Sequence, residues 1–331
     1  MTYALSLLDK SPVEPGAVAA DALKATVALA LRAEDLGYRR FWLAEHHNLP
    51  ALASSAPEAL IAYLLARTSR LKIGSGGVML QHYSAYKVAE TFNLLAALAP
   101  GRVDLGVGKA PGGFPHATRA LQAGRKAAAP ADFEEQLEDL NRYLLADAAA
   151  ANALLATPVP SVPAERFLLG ASVASAKLAA SKGWTLVFAG HLNGDQHNLQ
   201  ETFDVYRRET GGKVPVLALA ALAADAQETA RSLVADIKIF KVILANGQSV
   251  NVGNPEQAAE FARQSGVSDY RVEEKTPHVL AGTGEQVRNE LDALHSKLGV
   301  SEFIIDIPVP QAAFRLKTIE LIAGSRLSLA A

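Results

Sequence analysis

Short apolar runs and longer stretches of helical period alternate along almost the whole chain, and this alternation restricts the fold more than any other feature. Strand-like runs lie at Tyr3–Leu8, Arg40–Ala44, Leu71–Met79, Val103–Val107, Phe167–Gly170, Thr185–Ala189, Val214–Ala221 and Phe303–Ile307. Between them, apolar side chains recur on one helical face: Leu23, Val27, Ala30 and Leu31; Val88, Phe92, Leu95 and Ala96; Phe133, Leu137, Leu140 and Leu144. A strand followed by a helix, many times repeated, makes a parallel sheet covered by helices. Eight such units is the number that closes into a barrel. An open doubly wound sheet more often carries a glycine fingerprint after its first strand, whereas here the first strand runs into Asp9-Lys-Ser-Pro12. The expected fold is an α/β (β/α)8 TIM barrel, one domain over residues 1–331.

Two stretches interrupt the repeat. Lys238–His278 carries Asn246-Gly247, Gly253-Asn254-Pro255 and a short helical pattern near Glu256–Gln264. It reads as an insertion between the seventh and eighth strands, lying over one end of the barrel, and loops of this length often act as lids or binding loops. The Ala- and Pro-rich Ala148–Pro163 reads as a linker into the fifth strand. Half of the 331 residues are hydrophobic and a fifth are charged, enough to fill a large core. A net charge of −2 gives no electrostatic reason to expect nucleic acid or an anionic membrane as partner. The absence of cysteine excludes disulfides, thiolate catalysis and cysteine-ligated metals. No apolar run is long enough to span a bilayer, and the start of the chain lacks the basic region of a signal peptide. A cytoplasmic location is the expectation.

In a barrel of this kind the C-terminal strand ends form the active face. The second strand ends in Glu45-His-His-Asn48, the third in Gly74-Ser-Gly-Gly-Val-Met79, the fourth in Gly106-Val-Gly-Lys-Ala-Pro-Gly-Gly113 and the fifth in Gly170-Ala-Ser-Val-Ala-Ser175. Ser172 and Ser175 at a helix start present hydroxyls, backbone N–H groups and a favourable dipole to an anion; Ser172 would equally serve as a plain helix cap. Lys109 on the neighbouring strand favours a phosphate-bearing ligand. Gly74, Gly76 and Gly77 suit either a planar ring lying on the strand or a bulge and tight corner. Adjacent His46 and His47 point to opposite sides, so one faces the mouth and is a candidate general acid–base group. The remaining histidines show no metal-ligand spacing, and no metal is expected. Neither Gly106-Val-Gly-Lys nor Gly282-Thr-Gly-Glu completes a dinucleotide fingerprint, so the chain shows no nicotinamide site.

Taken in order, Trp42-Leu-Ala-Glu-His-His-Asn48, Ala53-Ser-Ser-Ala-Pro57, Gly74-Ser-Gly-Gly-Val-Met-Leu80, Lys87-Val-Ala-Glu90, Gly101-Arg-Val-Asp-Leu-Gly-Val-Gly108, Leu168-Leu-Gly-Ala-Ser172 and Gly282-Thr-Gly-Glu-Gln-Val287 resemble the bacterial luciferase-like flavin monooxygenases over nearly the whole chain. The resemblance implies a TIM-like barrel, usually dimeric, that binds FMN with its phosphate near the fifth strand. It implies flavin contacts from Ala44, Gly76, Gly77, Val78, Met79, Lys109, Ala171, Ser172, Val173 and Ser175, a non-proline cis peptide at Gly76–Gly77, and His46 as the catalytic residue. Relatives commonly carry Arg at the place of Lys109, which turns a bidentate phosphate fork into a point charge. Leu80-Gln-His-Tyr-Ser-Ala85 lacks both prolines usual in the family, so a looser or reshaped loop is expected beside the flavin.

The activity so implied is a two-component monooxygenase. A separate flavin reductase would supply reduced FMN, and O₂ would form a flavin C4a-peroxide that oxygenates a small organic substrate. Two alternatives stay open: hydride transfer with a deazaflavin, and flavin binding without catalysis. The substrate is not identified by the residues.

Overall fold

The structure is a computed structural model that describes residues 3–124, 132–145, 154–191 and 196–324. In chain order the first strands are β1 (Ala4–Asp9), β2 (Arg40–Leu43), β3 (Lys72–Met79), β4 (Val103–Gly108), β5 (Glu165–Gly170), β6 (Thr185–Ala189) and β7 (Val216–Ala223). They are followed by β8 (Ile239–Leu244), β9 (Ser249–Val252), β10 (Tyr270–Lys275), β11 (Val279–Gly282) and β12 (Glu302–Asp306). Strands β1 to β7 pair in sequence, all parallel, and β12 closes the ring between β7 and β1. This is the expected eight-stranded (β/α)8 barrel. No helix among the described residues is long and apolar enough to cross a membrane.

Alternation along each strand divides its side chains between two cores. Leu7, Phe41, Leu43, Ile73 and Leu105 face outward and pack under the helices in the larger apolar cluster. Leu8, Trp42, Phe167, Val187, Ala218 and Ile304 face inward and fill the middle of the barrel.

One turn of the inward set below them is polar. Arg40 is buried and binds Asp104 at 2.7 Å, Glu302 at 2.8 Å and Glu165 at 2.9 Å. Trp42 donates to Asp104 at 2.9 Å, Ser6 to Glu302 at 2.6 Å, and Lys72 pairs with Glu165. This network plugs the N-terminal end of the barrel. Its members come from six strands and sit within the first three residues of each, so no single apolar run contains it.

The segment expected as an insertion, 238–278, folds into an antiparallel sheet of order β10-β8-β9 with the helix Pro255–Ser265. Val242, Val252 and Phe261 form a satellite core with Phe114, which follows β4, while Leu49, which follows β2, packs against its edge. The insertion therefore lies over one end of the barrel, and the end is the C-terminal face. Strand β11 departs from the sequence reading: a four-residue run re-enters beside the far half of β7, pairing Val279–Gly282 with Ala220–Ala223. After it, Thr283 and Gln286 form a reciprocal capping box that starts the helix Gly284–Leu298. That gives the Gly282-Thr-Gly-Glu string its structural purpose. Of the expected linker, 148–153 lies outside the described residues. Residues 154–164 run to β5 without helix or strand, held where Tyr86 and Asn93 donate to the carbonyls of Leu155 and Ala156.

Candidate functional site

At the end of β2 the backbone keeps alternating, so Glu45 and His47 share one side and His46 takes the other. His47 Nε2 and Glu45 Oε1 are 2.7 Å apart. The buried Glu45 carboxylate also accepts from the Tyr83 hydroxyl at 2.7 Å and the Met79 N–H at 3.0 Å. His46 continues the inward set of Arg40 and Trp42 to the mouth. Its Nδ1 is buried and has no hydrogen-bond partner. Burial pushes its pKa down to about 4, with Lys10 adding to the effect and Asp306 and Glu45 opposing it. The ring is thus an uncharged base at neutral pH. Ser54, fully buried, accepts the His46 N–H on its carbonyl at 2.8 Å and donates its hydroxyl to the Ala44 carbonyl at 2.5 Å. It pins this strand end, a role that the Ala53-Ser-Ser-Ala-Pro57 string alone does not reveal.

On β3 the Gly76–Gly77 peptide is cis, as the resemblance implied, and the register with β4 shifts between Ser75 and Val78. Here the two readings of the glycines separate. A Cβ on Gly74 would stand 2.5 Å from Asp104, one on Gly76 2.6 Å from Leu8, and one on Gly77 2.7 Å from the Gly106 carbonyl. Backbone atoms of β4 demand glycine at Gly74 and Gly77, whereas Gly76 meets the end of the flexible Leu8 side chain, so the bulge and tight corner account for two of the three without a ring. Val78 and Met79 are buried, and the Met79 N–H is committed to Glu45.

The loop after β3, expected to be looser or differently shaped without its prolines, is tied to the chain that follows β4 by side-chain hydrogen bonds. His82 Nε2 lies 2.7 Å from the Pro111 carbonyl, and Gln81 donates to the Lys109 carbonyl at 3.0 Å. Gln122 in turn donates to the Gln81 carbonyl at 3.2 Å.

Strand β4 brings Gly108 and Lys109 alongside the end of β5, since Val107 stands opposite Leu168. Gly108 is buried, yet a Cβ built on it meets nothing within 4 Å. There is open space inside the mouth at that point, next to the exposed Lys109. At the end of β5, Ser172 caps the helix Val173–Ser181, its Oγ accepting the Ser175 N–H at 3.2 Å. The two hydroxyls lie 3.0 Å apart, so one proton sits between them and the other is left to donate outward. Gly170 leaves the room that Ser175 fills, 2.3 Å from where a Cβ would be. Asn198 fixes the Ala171 carbonyl at 2.8 Å. Capping and anion binding are compatible here, because a capped first turn still presents N–H groups and a hydroxyl outward. These residues fit FMN: an unpartnered imidazole nitrogen, open space over Gly108, a cation and a helix start all face one mouth.

Three residues of the same mouth lay outside the sequence reading: Lys10 after β1, His191 after β6 and Asp306 at the end of β12. The rule that strand ends carry the chemistry would have found them, had it been applied to all eight barrel strands instead of four.

A family model described as luciferase-like monooxygenase matches residues 1–302. The chain is 42% identical over 330 residues to an N-acetyl-S-alkylcysteine monooxygenase of Bacillus subtilis (strain 168), covering 98% of both proteins. Among solved structures, apo-MsnO8 matches with a TM-score of 0.78 at 28% identity over 97% of each chain. Two more distant structures share the fold, each at 17% identity. The FMN complex of the oxygenating constituent of 3,6-diketocamphane monooxygenase from Pseudomonas putida has a TM-score of 0.69, covering 100% of this chain and 99% of that one. An F420-dependent secondary alcohol dehydrogenase has a TM-score of 0.66, covering 97% and 98%. By the family model and by its identity to the Bacillus enzyme, the chain belongs to the luciferase-like monooxygenase family.

Proposed function

We propose that this protein is the oxygenase of a two-component flavin system, taking reduced FMN from a separate reductase and using O₂ to oxygenate a small organic acid. The observation that carries this reading is the uncharged His46, its Nδ1 buried and unpartnered at the barrel mouth. The lack of a nicotinamide fingerprint supports an external source of reducing equivalents. The 42% identity to an N-acetyl-S-alkylcysteine monooxygenase makes S-alkylated N-acetylcysteines the substrate class of choice.

Bound reduced flavin supplies the oxygen chemistry. The outward hydroxyl of the Ser172–Ser175 pair, the N–H groups that open the helix Val173–Ser181 and the Lys109 ammonium would hold the phosphate. Ala44, Gly76, Gly77, Val78 and Met79 would hold the flavin ring, and Ala171 and Val173 would help to hold its phosphate. His46 Nδ1, buried and unpartnered, would accept a proton at the mouth. The insertion, seated on the loops after β2 and β4, limits water at the mouth.

The test is anaerobic mixing of the protein with reduced FMN, followed by an oxygen pulse and fast absorbance recording. The expected result is flavin reoxidation much slower than in free solution, and faster on adding substrate. Reoxidation at the free-solution rate, with tight binding of a deazaflavin instead, overturns the reading.

A further inference from the structure

The inward set of the barrel ends in a polar layer at the mouth. Ser6, Leu8 and Lys10 follow one another on the inner side of β1 and just past it, as do Glu302, Ile304 and Asp306 on β12. Lys10 and Asp306 meet there in an ion pair of 2.6 Å, the carboxylate buried and the lysine side chain 29% exposed. The pair lines a cavity of about 360 Å³ that also holds the Asp9 carboxylate, itself paired with Arg315, and whose other walls are alkyl and proline, among them Pro12, Val13, Pro308 and Val309. His46 and His191 lie within electrostatic range of both Lys10 and Asp306, and the Nδ1 of each is buried with no hydrogen-bond partner.

An ion pair is a costly way to finish a barrel interior, because desolvation consumes much of the Coulombic gain. This pair does something that an apolar pair would not. Asp306 uses one of the three ammonium donors and fixes a side chain that would otherwise lose rotamer freedom on binding a ligand. Arg315, paired with Asp9, adds a second buried cation next to the Asp306 carboxylate. The result is an aimed cation beside a largely apolar cavity, with two uncharged imidazoles able to hydrogen-bond a neighbouring polar group.

We propose that Lys10, positioned by Asp306, anchors the carboxylate of the substrate, and that the adjoining cavity receives the apolar part nearest it. This rests on the monooxygenase reading above. The barrel order supports a substrate anion over the flavin phosphate. In the closed ring β4 and β5, which carry Lys109 and Ser172, stand four places from β12 and β1. Lys10, just past β1, therefore stands opposite Ser172 at the end of β5 and three places from Lys109 at the end of β4, which leaves a separate side of the mouth for each anion.

The experiment compares wild type, Lys10→Met and Lys10→Arg with N-acetyl-S-methylcysteine and its methyl ester, under steady reduced FMN from an added reductase, and titrates each variant with FMN. The wild type is expected to favour the acid over the ester in kcat/KM by about tenfold or more, the difference expected of a charge-assisted hydrogen bond. Lys10→Met removes that preference through KM, Lys10→Arg keeps part of it, and FMN affinity is the same in all three. An equal loss on acid and ester makes the pair structural and overturns the proposal. A fall in FMN affinity assigns Lys10 to the phosphate and overturns it too. Oxidation of neither compound rejects the anchor together with the substrate class, whereas flavin-dependent oxygen uptake in the same samples reports separately on the flavin reading.

Discussion

Glu45 accepts the Met79 N–H at 3.0 Å, so a buried carboxylate at the end of β2 holds the backbone where β3 leaves the barrel. The same carboxylate holds Tyr83 and His47, and one side chain thereby fixes the wall against which the flavin is proposed to lie. Glu45→Gln keeps the shape but turns an acceptor into a donor facing donors. It is expected to cost about 1–3 kcal/mol of stability and to weaken FMN binding. Urea unfolding and FMN titration check this, and a variant with wild-type values in both would remove Glu45 from the site.

His46→Ala removes the uncharged base without touching the helix start at Ser172. FMN affinity should stay near wild type while turnover falls by roughly 10²–10⁴. Equal turnover in variant and wild type would take His46 out of the chemistry.

Ser172 and Ser175 should separate under mutation. Ser175→Ala should weaken FMN by about 1 kcal/mol and leave thermal stability little changed. Ser172→Ala should weaken FMN similarly and also cost about 0.5–2 kcal/mol of stability, because it removes a cap. Paired melting and titration curves decide. Undiminished binding in both variants would place the phosphate elsewhere.

Acid should destabilise the fold through two histidines. Burial holds both His46 and His191 at pKa values of about 4, against an ordinary 6.5. An unfolded chain then binds about two more protons than the folded one between those limits. The stabilisation is complete above pH 6.5 and is lost as pH falls from 6.5 to 4. Melting temperature should drop between pH 7.5 and 5, and less steeply in a His46→Asn/His191→Asn double variant. Parallel pH profiles would show that the two rings are not the cause.

The plug at the other end of the barrel is a matter of stability alone. Asp104→Asn leaves the Arg40 guanidinium short of its nearest carboxylate in a buried setting and should cost roughly 3–5 kcal/mol. Urea midpoints measure this. A change below about 1 kcal/mol would mean that Glu302 and Glu165 suffice to balance Arg40.

The chain order of apolar runs determined the barrel, because strand and helix periods are local properties and eight alternations leave few ways to close a sheet. Strand-end position likewise brought out the His46–His47 pair, Lys109, Ser172 and Ser175, since the register of one strand is enough to say where it stops, while the choice of His46 came from the family resemblance. The inward layers were another matter. That Arg40, Asp104 and Glu302 meet at one end, and Lys10, His46, His191 and Asp306 at the other, depends on how separate strands stand against each other. Pairing register is a contact between residues far apart in the chain, so no single stretch of sequence contains it. The glycines of β3 show the same division. Their spacing announced that something approaches closely, but only the position of β4 decided that at Gly74 and Gly77 the approaching atoms belong to the protein itself.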